Sequence, residues 1–203
     1  MLAKIFGFLL LGFVRALTGA QARWHGCPPK AEQRIYFANH QSHADLVMIW
    51  AALPEELRGI TRPIAAKDYW TASPFKQWIT TEVFHAVYVD RQRVGDADPL
   101  EPLMEALGQG DSIILFPEGT RGHADEPQDF KAGLYNLALK FPHVVLVPAW
   151  INNIQRVMPK GEVVPVPLLC SVTFGTPMQL LPGEERKAFL ARARDAVIAL
   201  REV

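Results

Sequence analysis

Short, densely apolar runs alternate along the chain with stretches whose apolar residues recur at helical spacing. Arg34–Ala38 (RIYFA) is β-prone and stops at Asn39-His40, which predicts a strand. The following SHADLVMIWAAL predicts a helix, with Ser42 as N-cap, Asp45 as its capping-box partner and Pro54 where the helix must end. Arg62–Lys67 predicts a second strand, followed by a loop or helix carrying Trp70 and Trp78. His85–Arg91 predicts a third strand, leading through an acidic linker to a helix over residues 99–110. Asp111–Gly122 (DSIILFPEGTRG) opens as a buried strand and breaks at Pro117. GLYNLALKF predicts a helix, Val144–Ile151 and Cys170–Met178 two further strands, and residues 184–203 an amphipathic helix. Strands alternating with helices predict an α/β domain, a central, largely parallel or mixed sheet flanked by helices. Ligands of such sheets collect beyond the carboxyl ends of the strands. There the chain places Asn39-His40, Asp90-Arg91, Glu118–Arg121 and Pro148, the last read as ending a fourth strand.

One stretch follows neither pattern. Ile5–Val14 (IFGFLLLGFV) is unbroken by any polar side chain, yet it falls short of the about 20 residues a helix needs to cross a bilayer. Around it, residues 1–34 carry Lys4, Arg15, Arg23, Lys30 and Arg34 against Glu32 alone. Three readings fit: a buried core helix, a signal peptide with Ala20–Ala22 (AQA) as its cleavage site, or a monotopic anchor. In the last, the run lies at the headgroup level with Arg15, Arg23 and Trp24 at the polar boundary. The chain divides accordingly into an N-terminal arm, residues 1–33, and a domain, residues 34–203.

Whole-chain composition narrows the function classes. Lys+Arg and Asp+Glu both total 21, a balance that argues against a nucleic-acid binder. Cys27 and Cys170 form no C-x-x-C and are too few for a disulfide scaffold, so a reducing compartment is the default.

The densest chemistry lies in NHQSHAD. In a continuous helix the five-residue step from His40 to Asp45 turns ~140° about the axis, and the two side chains could not meet. With the helix beginning at Ser42, His40 stands outside it and folds back over the first turn. A carboxylate on one ring nitrogen then leaves the other free as a base. No protein nucleophile accompanies the pair, so the nucleophile is expected from a substrate, such as a hydroxyl. Two other readings stay open: Asp45 merely caps the helix, or His40, His43 and Asp45 ligate a metal with His85, His123 or His143 in reserve. In FPEGTRG, Gly119 and Gly122 permit tight turns that bring Glu118 and Arg121 to the rim. Arginine is the fork-shaped donor that suits phosphate, and N–H groups beside glycine can hold an anion. The plain alternative is a surface turn with an ion pair. Arg91, Arg93 and Lys131 add cations near the same rim.

These residues carry a resemblance. NHQSHAD is similar to the N-H-x-x-x-x-D block of the glycerolipid (lysophospholipid, PlsC-like) acyltransferase superfamily, and FPEGTRG resembles that family's phosphate-binding block throughout. VYVDR resembles the intermediate block, with His85 where that block normally opens with glycine, and VPAWI resembles the final block. The resemblance implies O-acyl transfer from acyl-CoA or acyl-ACP, without a metal or other cofactor, to a lysophospholipid hydroxyl, foremost that of 1-acylglycerol 3-phosphate. It implies His40 as general base and Asp45 as its orienting partner, with Arg91, Glu118, Gly119, Thr120 and Arg121 at the acceptor phosphate. Asn39, Ser42, Lys67, Lys131 and Pro148 are supporting candidates. Another lyso-lipid as acceptor, or a metal-dependent hydrolase, are the alternatives. A cytosolic donor and a membrane acceptor favour the uncleaved interfacial anchor, on the cytoplasmic face of the inner membrane if the chain is bacterial, where its cations attract anionic headgroups.

Overall fold

The computed structural model describes residues 2–42, 44–90, 98–122, 126–153 and 168–202. Its centre is a seven-stranded sheet of β1 (Gln21–Trp24), β2 (Arg34–Ala38), β3 (Thr61–Ala66), β4 (Val87–Val89), β5 (Ser112–Leu115), β6 (Val145–Asn152) and β7 (Ser171–Phe174). Their order across the sheet is β1-β7-β6-β2-β5-β3-β4. The five strands from β6 to β4 are mutually parallel, and β7 runs antiparallel to β6 with β1 parallel to it. The expected α/β architecture with a largely parallel, mixed sheet is therefore what the chain forms.

Every residue of β2 is buried, as a central strand covered on both faces requires. Tyr36, Ile114, Val147 and Phe174 face one layer, where α1 (Leu2–Thr18) and α2 (Asp45–Ala52) pack. Ile35, Phe37, Ile113 and Leu146 face the other. That layer is built from α6 (Glu101–Gly108), α7 (Gly133–Lys140) and α8 (Arg186–Ile198), through Leu103, Leu134, Phe189 and Val197. Short helices α3 (Glu55–Gly59), α4 (Lys67–Trp70) and α5 (Pro74–Trp78) fill the connections, α5 continuing into a π-helical turn at Ile79–Val83.

The sequence reading needs correction at four places. The α2 helix starts at Asp45, three residues later than the proposed N-cap, and Ala44 occupies the cap position without a side-chain bond. Half of the capping box exists: Asp45 Oδ2 accepts from the Ser42 N–H, but Ser42 Oγ accepts from Ala44 instead of Asp45. Pro148 does not end a strand, since β6 runs through it to Asn152 and pairs it with Phe37. Strand β1 was not foreseen, and it lies within residues 1–33, where only an anchoring arm was drawn. There Gln21 and Ala22, within the Ala20–Ala22 stretch of the signal-peptide reading, pair with Ser171 and Val172.

The apolar run forms the middle of α1. One side of that helix, including Phe6, Leu10 and Leu17, packs on the core, with the Phe6 ring 5.3 Å from that of Trp78. Its other side leaves Leu2, Ile5, Phe8, Leu9 and Phe13 largely exposed. Among the described residues no helix is long and apolar enough to cross a membrane.

Candidate active site

Beyond Ala38 the chain leaves the sheet, and Asn39 secures the exit. Its buried side chain accepts the Ile151 N–H at 2.8 Å and donates to the Ile151 carbonyl at 3.2 Å, standing in for one more ladder pair between β2 and β6. His40 then folds back over the start of α2, placing Nδ1 2.8 Å from Asp45 Oδ2. The same oxygen accepts the N–H groups of Gln41 at 2.6 Å and Ser42 at 2.8 Å. An oxygen that takes two backbone donors acts as an acceptor, so Nδ1 is the donor of this contact, and in a neutral ring the lone pair lies on Nε2. Asp45 is fully buried and its Oδ1 has no hydrogen-bond partner among the described residues, whereas the His40 side chain remains 22% exposed.

The loop after β5, the neighbour of β2, closes on this histidine from three directions. The Phe116 ring stacks on the imidazole with centroids 4.4 Å apart and planes 16° from parallel. Glu118, 1% exposed, accepts the His40 N–H at 2.7 Å through Oε1 and the Gln128 N–H at 2.8 Å through Oε2. The Gly122 N–H donates to the His40 carbonyl at 2.8 Å. Burial pushes the Glu118 carboxyl above the usual carboxylate range, and its two backbone donors oppose that shift. Glu118 was expected at the acceptor phosphate, but both its oxygens turn inward to backbone N–H groups. It does not line the cleft.

Gly119 does line the cleft. Its φ of +68° suits glycine, and a Cβ there would lie 2.8 Å from Lys131 Nζ, so a side chain would displace the lysine. Lys131 in turn donates its N–H to the Pro117 carbonyl, and its side chain lies against Gly119. Thr120 and Arg121 are exposed, and Arg121 stands on the cleft wall.

The cleft has a volume of about 470 Å³ and is mostly apolar. Beside His40 and Phe116 its walls carry Ile64, Val89, Leu103 and Leu115, together with Tyr69 and Trp70 of α4. The sheet and α6 thus wall a slot suited to a hydrocarbon chain, with the imidazole and one guanidinium on its wall. Other expected residues lie elsewhere. Lys67 is exposed at the start of α4, Ser42 is buried in the turn before α2, and Pro148 is buried within β6 with its carbonyl bonded to the Gly175 N–H. Arg91 and Arg93, like His43 and His123 of the metal reading, lie outside the described residues. Among the described residues no cluster of three or more His, Cys, Asp or Glu side chains is placed to hold a metal. His85 is exposed, off the cleft wall, and adopts φ +48°. Phe116 and the Gln128 N–H were missed. The first was visible as the apolar residue opening FPEG, whereas the second depends on tertiary proximity alone.

A family model described as Acyltransferase matches residues 24–152. The human 1-acyl-sn-glycerol-3-phosphate acyltransferase alpha is 31% identical over 165 residues, covering 78% of this chain and 55% of the relative. The 1-acyl-sn-glycerol-3-phosphate acyltransferase of Limnanthes douglasii is 26% identical over 179 residues, covering 82% and 58%. The chain thus spans little more than half the length of these relatives. The crystal structure of PlsC from Thermotoga maritima, a 1-acyl-sn-glycerophosphate (LPA) acyltransferase, shares the fold with a TM-score of 0.73 at 21% identity, covering 98% of this chain and 80% of that one. With the family match reaching from the last residue of β1 to the end of β6, the chain belongs to the acyltransferase family.

Proposed function

We propose that this protein transfers a fatty acyl group from acyl-CoA or acyl-ACP to the free hydroxyl of a lysophospholipid, foremost 1-acylglycerol 3-phosphate. The observation that carries this reading is His40, oriented through Nδ1 by a buried carboxylate and lining an apolar cleft that also bears Arg121. A glycerol hydroxyl is a poor nucleophile at neutral pH, and a positioned base contributes on the order of 10²–10⁴ in rate. Nε2 takes the hydroxyl proton as the oxygen bonds to the thioester carbonyl carbon. The C–S bond then breaks, and the thiolate leaves with the proton returned by the imidazolium. The products are an ester and a free thiol, and the scheme needs no metal. Arg121 would pair with the acceptor phosphate, with Lys131 behind Gly119 adding positive charge.

The same reading places the protein on a membrane surface. The outward residues of α1, Leu2, Ile5, Phe8, Leu9 and Phe13, are 52% to 78% exposed, and Phe75, beside Phe6, is 61% exposed. An apolar helix face of this kind suits insertion at the headgroup level. The experiment is acyl transfer in lipid micelles with palmitoyl-CoA and lysophosphatidic acid, for wild type, His40→Ala and Arg121→Ala, each with and without EDTA. Transfer abolished in His40→Ala, weakened in Arg121→Ala and indifferent to EDTA supports the scheme; transfer surviving in His40→Ala refutes it. Cosedimentation with anionic vesicles, reduced in Phe8→Asp/Phe13→Asp, checks the surface assignment.

A further inference from the structure

We propose that Phe116 is a positioning residue of the acyl transfer, whose ring both fixes the plane of the His40 imidazole and stabilises the positive charge that imidazole acquires. The proposal rests on the reading of His40 as base. The hydrogen bond to Asp45 defines one direction of the ring and leaves it free to swing about the Nδ1–Oδ2 axis. The stack on Phe116, at 4.4 Å and 16°, supplies the missing constraint. Phe116 is itself well fixed. Leu115 pairs with Phe37 in the β5–β2 register, so Phe116 stands level with Ala38, where the chain turns back. Pro117 behind it restricts its backbone to extended conformations.

The face of a benzene ring is negative and attracts a cation more strongly than a neutral ring. An imidazole that acts as a base takes its positive charge only as the hydroxyl proton is taken. The contact therefore strengthens toward the transition state, and an interaction of that kind raises kcat without tightening substrate binding. Asp45 contributes in the plane of the ring, and Phe116 acts perpendicular to it. Its removal is expected to lower kcat on the order of ten-fold.

The test replaces Phe116 by 4-fluoro-, 3,5-difluoro- and 3,4,5-trifluorophenylalanine. These keep the shape of the ring closely while draining the negative charge of its face in steps. With palmitoyl-CoA and lysophosphatidic acid, log kcat should fall stepwise with fluorination, while both KM values and the melting temperature stay at wild-type levels. Phe116→Trp should retain most of the activity and Phe116→Leu lose at least as much as the trifluoro variant. A flat series alongside an inactive His40→Ala overturns the charge role of Phe116 and leaves the base assignment intact. Transfer that persists in His40→Ala overturns both.

Discussion

Glu118→Gln preserves the size of a buried side chain and removes one of its two acceptors. In the wild type Oε1 serves the His40 N–H at 2.7 Å and Oε2 the Gln128 N–H at 2.8 Å. An amide offers one oxygen and one NH₂ group, so one of these N–H groups, both bonded to a side chain that is itself buried, must face another donor. Leaving a buried donor unsatisfied costs about 1–3 kcal/mol. Burial already disfavours the ionised carboxylate, which offsets part of what its charge contributes, so we expect about 2 kcal/mol. In a chain of 203 residues this lowers Tm by roughly 4–8 °C. The Gly122 N–H still holds the His40 carbonyl, so the loop stays in place while the imidazole shifts. A displacement of ~1 Å at the reacting group can cost about 10²-fold in rate. Initial rates across acceptor concentrations, with thermal melts of the same preparations, should show kcat falling about 10- to 100-fold at nearly constant acceptor KM. A tenfold rise in KM with kcat and Tm unchanged would mean that the carboxylate faces the acceptor, and would refute the clamp.

Other expectations are simpler. On the proposed function, Arg121→Ala takes away a charge-assisted contact to the acceptor phosphate and should raise the acceptor KM about 10- to 100-fold with little change in Tm, since Arg121 is exposed; an unchanged KM places the phosphate elsewhere. His85→Gly relieves a left-handed backbone at φ +48°, partly offset by the flexibility glycine gives the unfolded chain, so Tm should rise by roughly 1–2 °C with acyl transfer unaltered. A lower Tm would show that the His85 side chain matters more than its backbone. The raised Glu118 pKa means that the native state holds that proton more tightly than the unfolded chain does. The stability this contributes is present below the ordinary carboxylate value and lost as pH rises through the raised one, so the Tm gap between wild type and Glu118→Gln should narrow from acid to neutral pH. Melts of both proteins across that range give the sign directly.

The dyad was legible because its geometry is local: a helix start between His40 and Asp45 is enough to fold one over the other. Glu118 was not. Its sequence neighbours suggest a phosphate loop, and its actual partner, the His40 backbone, lies 78 positions away and becomes adjacent only because β2 and β5 pair. Strand β1 was hidden for a related reason, since QARW has little β character of its own and becomes a strand by pairing with β7. Pro148 misled through a rule applied without its surroundings. Its carbonyl points toward β7 and accepts the Gly175 N–H, and in a strand the N–H of a residue points the same way as its carbonyl. Pairing of β6 with β7 runs only from Ala149 to Asn152, so the missing donor falls where that ladder has ended. His85 is the converse case: it stands where the resembled block opens with glycine, and its backbone is left-handed, the conformation glycine adopts most readily.

The two signature blocks are one object. His40 is held by its N–H through Glu118, by its carbonyl through Gly122 and by its ring face through Phe116, all within seven residues of the loop after β5. Its remaining hold, on Nδ1, comes from Asp45 in its own block. An imidazole suspended between two loops keeps its position only if neighbouring strands fix both loops at once. The parallel pairing of β2 with β5 does that, and the Asn39 side chain extends the same support toward β6. Most side chains of the FPEGTRG block accordingly need not touch a substrate to matter. Glu118, Gly122 and Phe116 all hold one imidazole, whereas Arg121, exposed on the cleft wall, has its charge outside that clamp, which is why the proposed function gives it the acceptor phosphate.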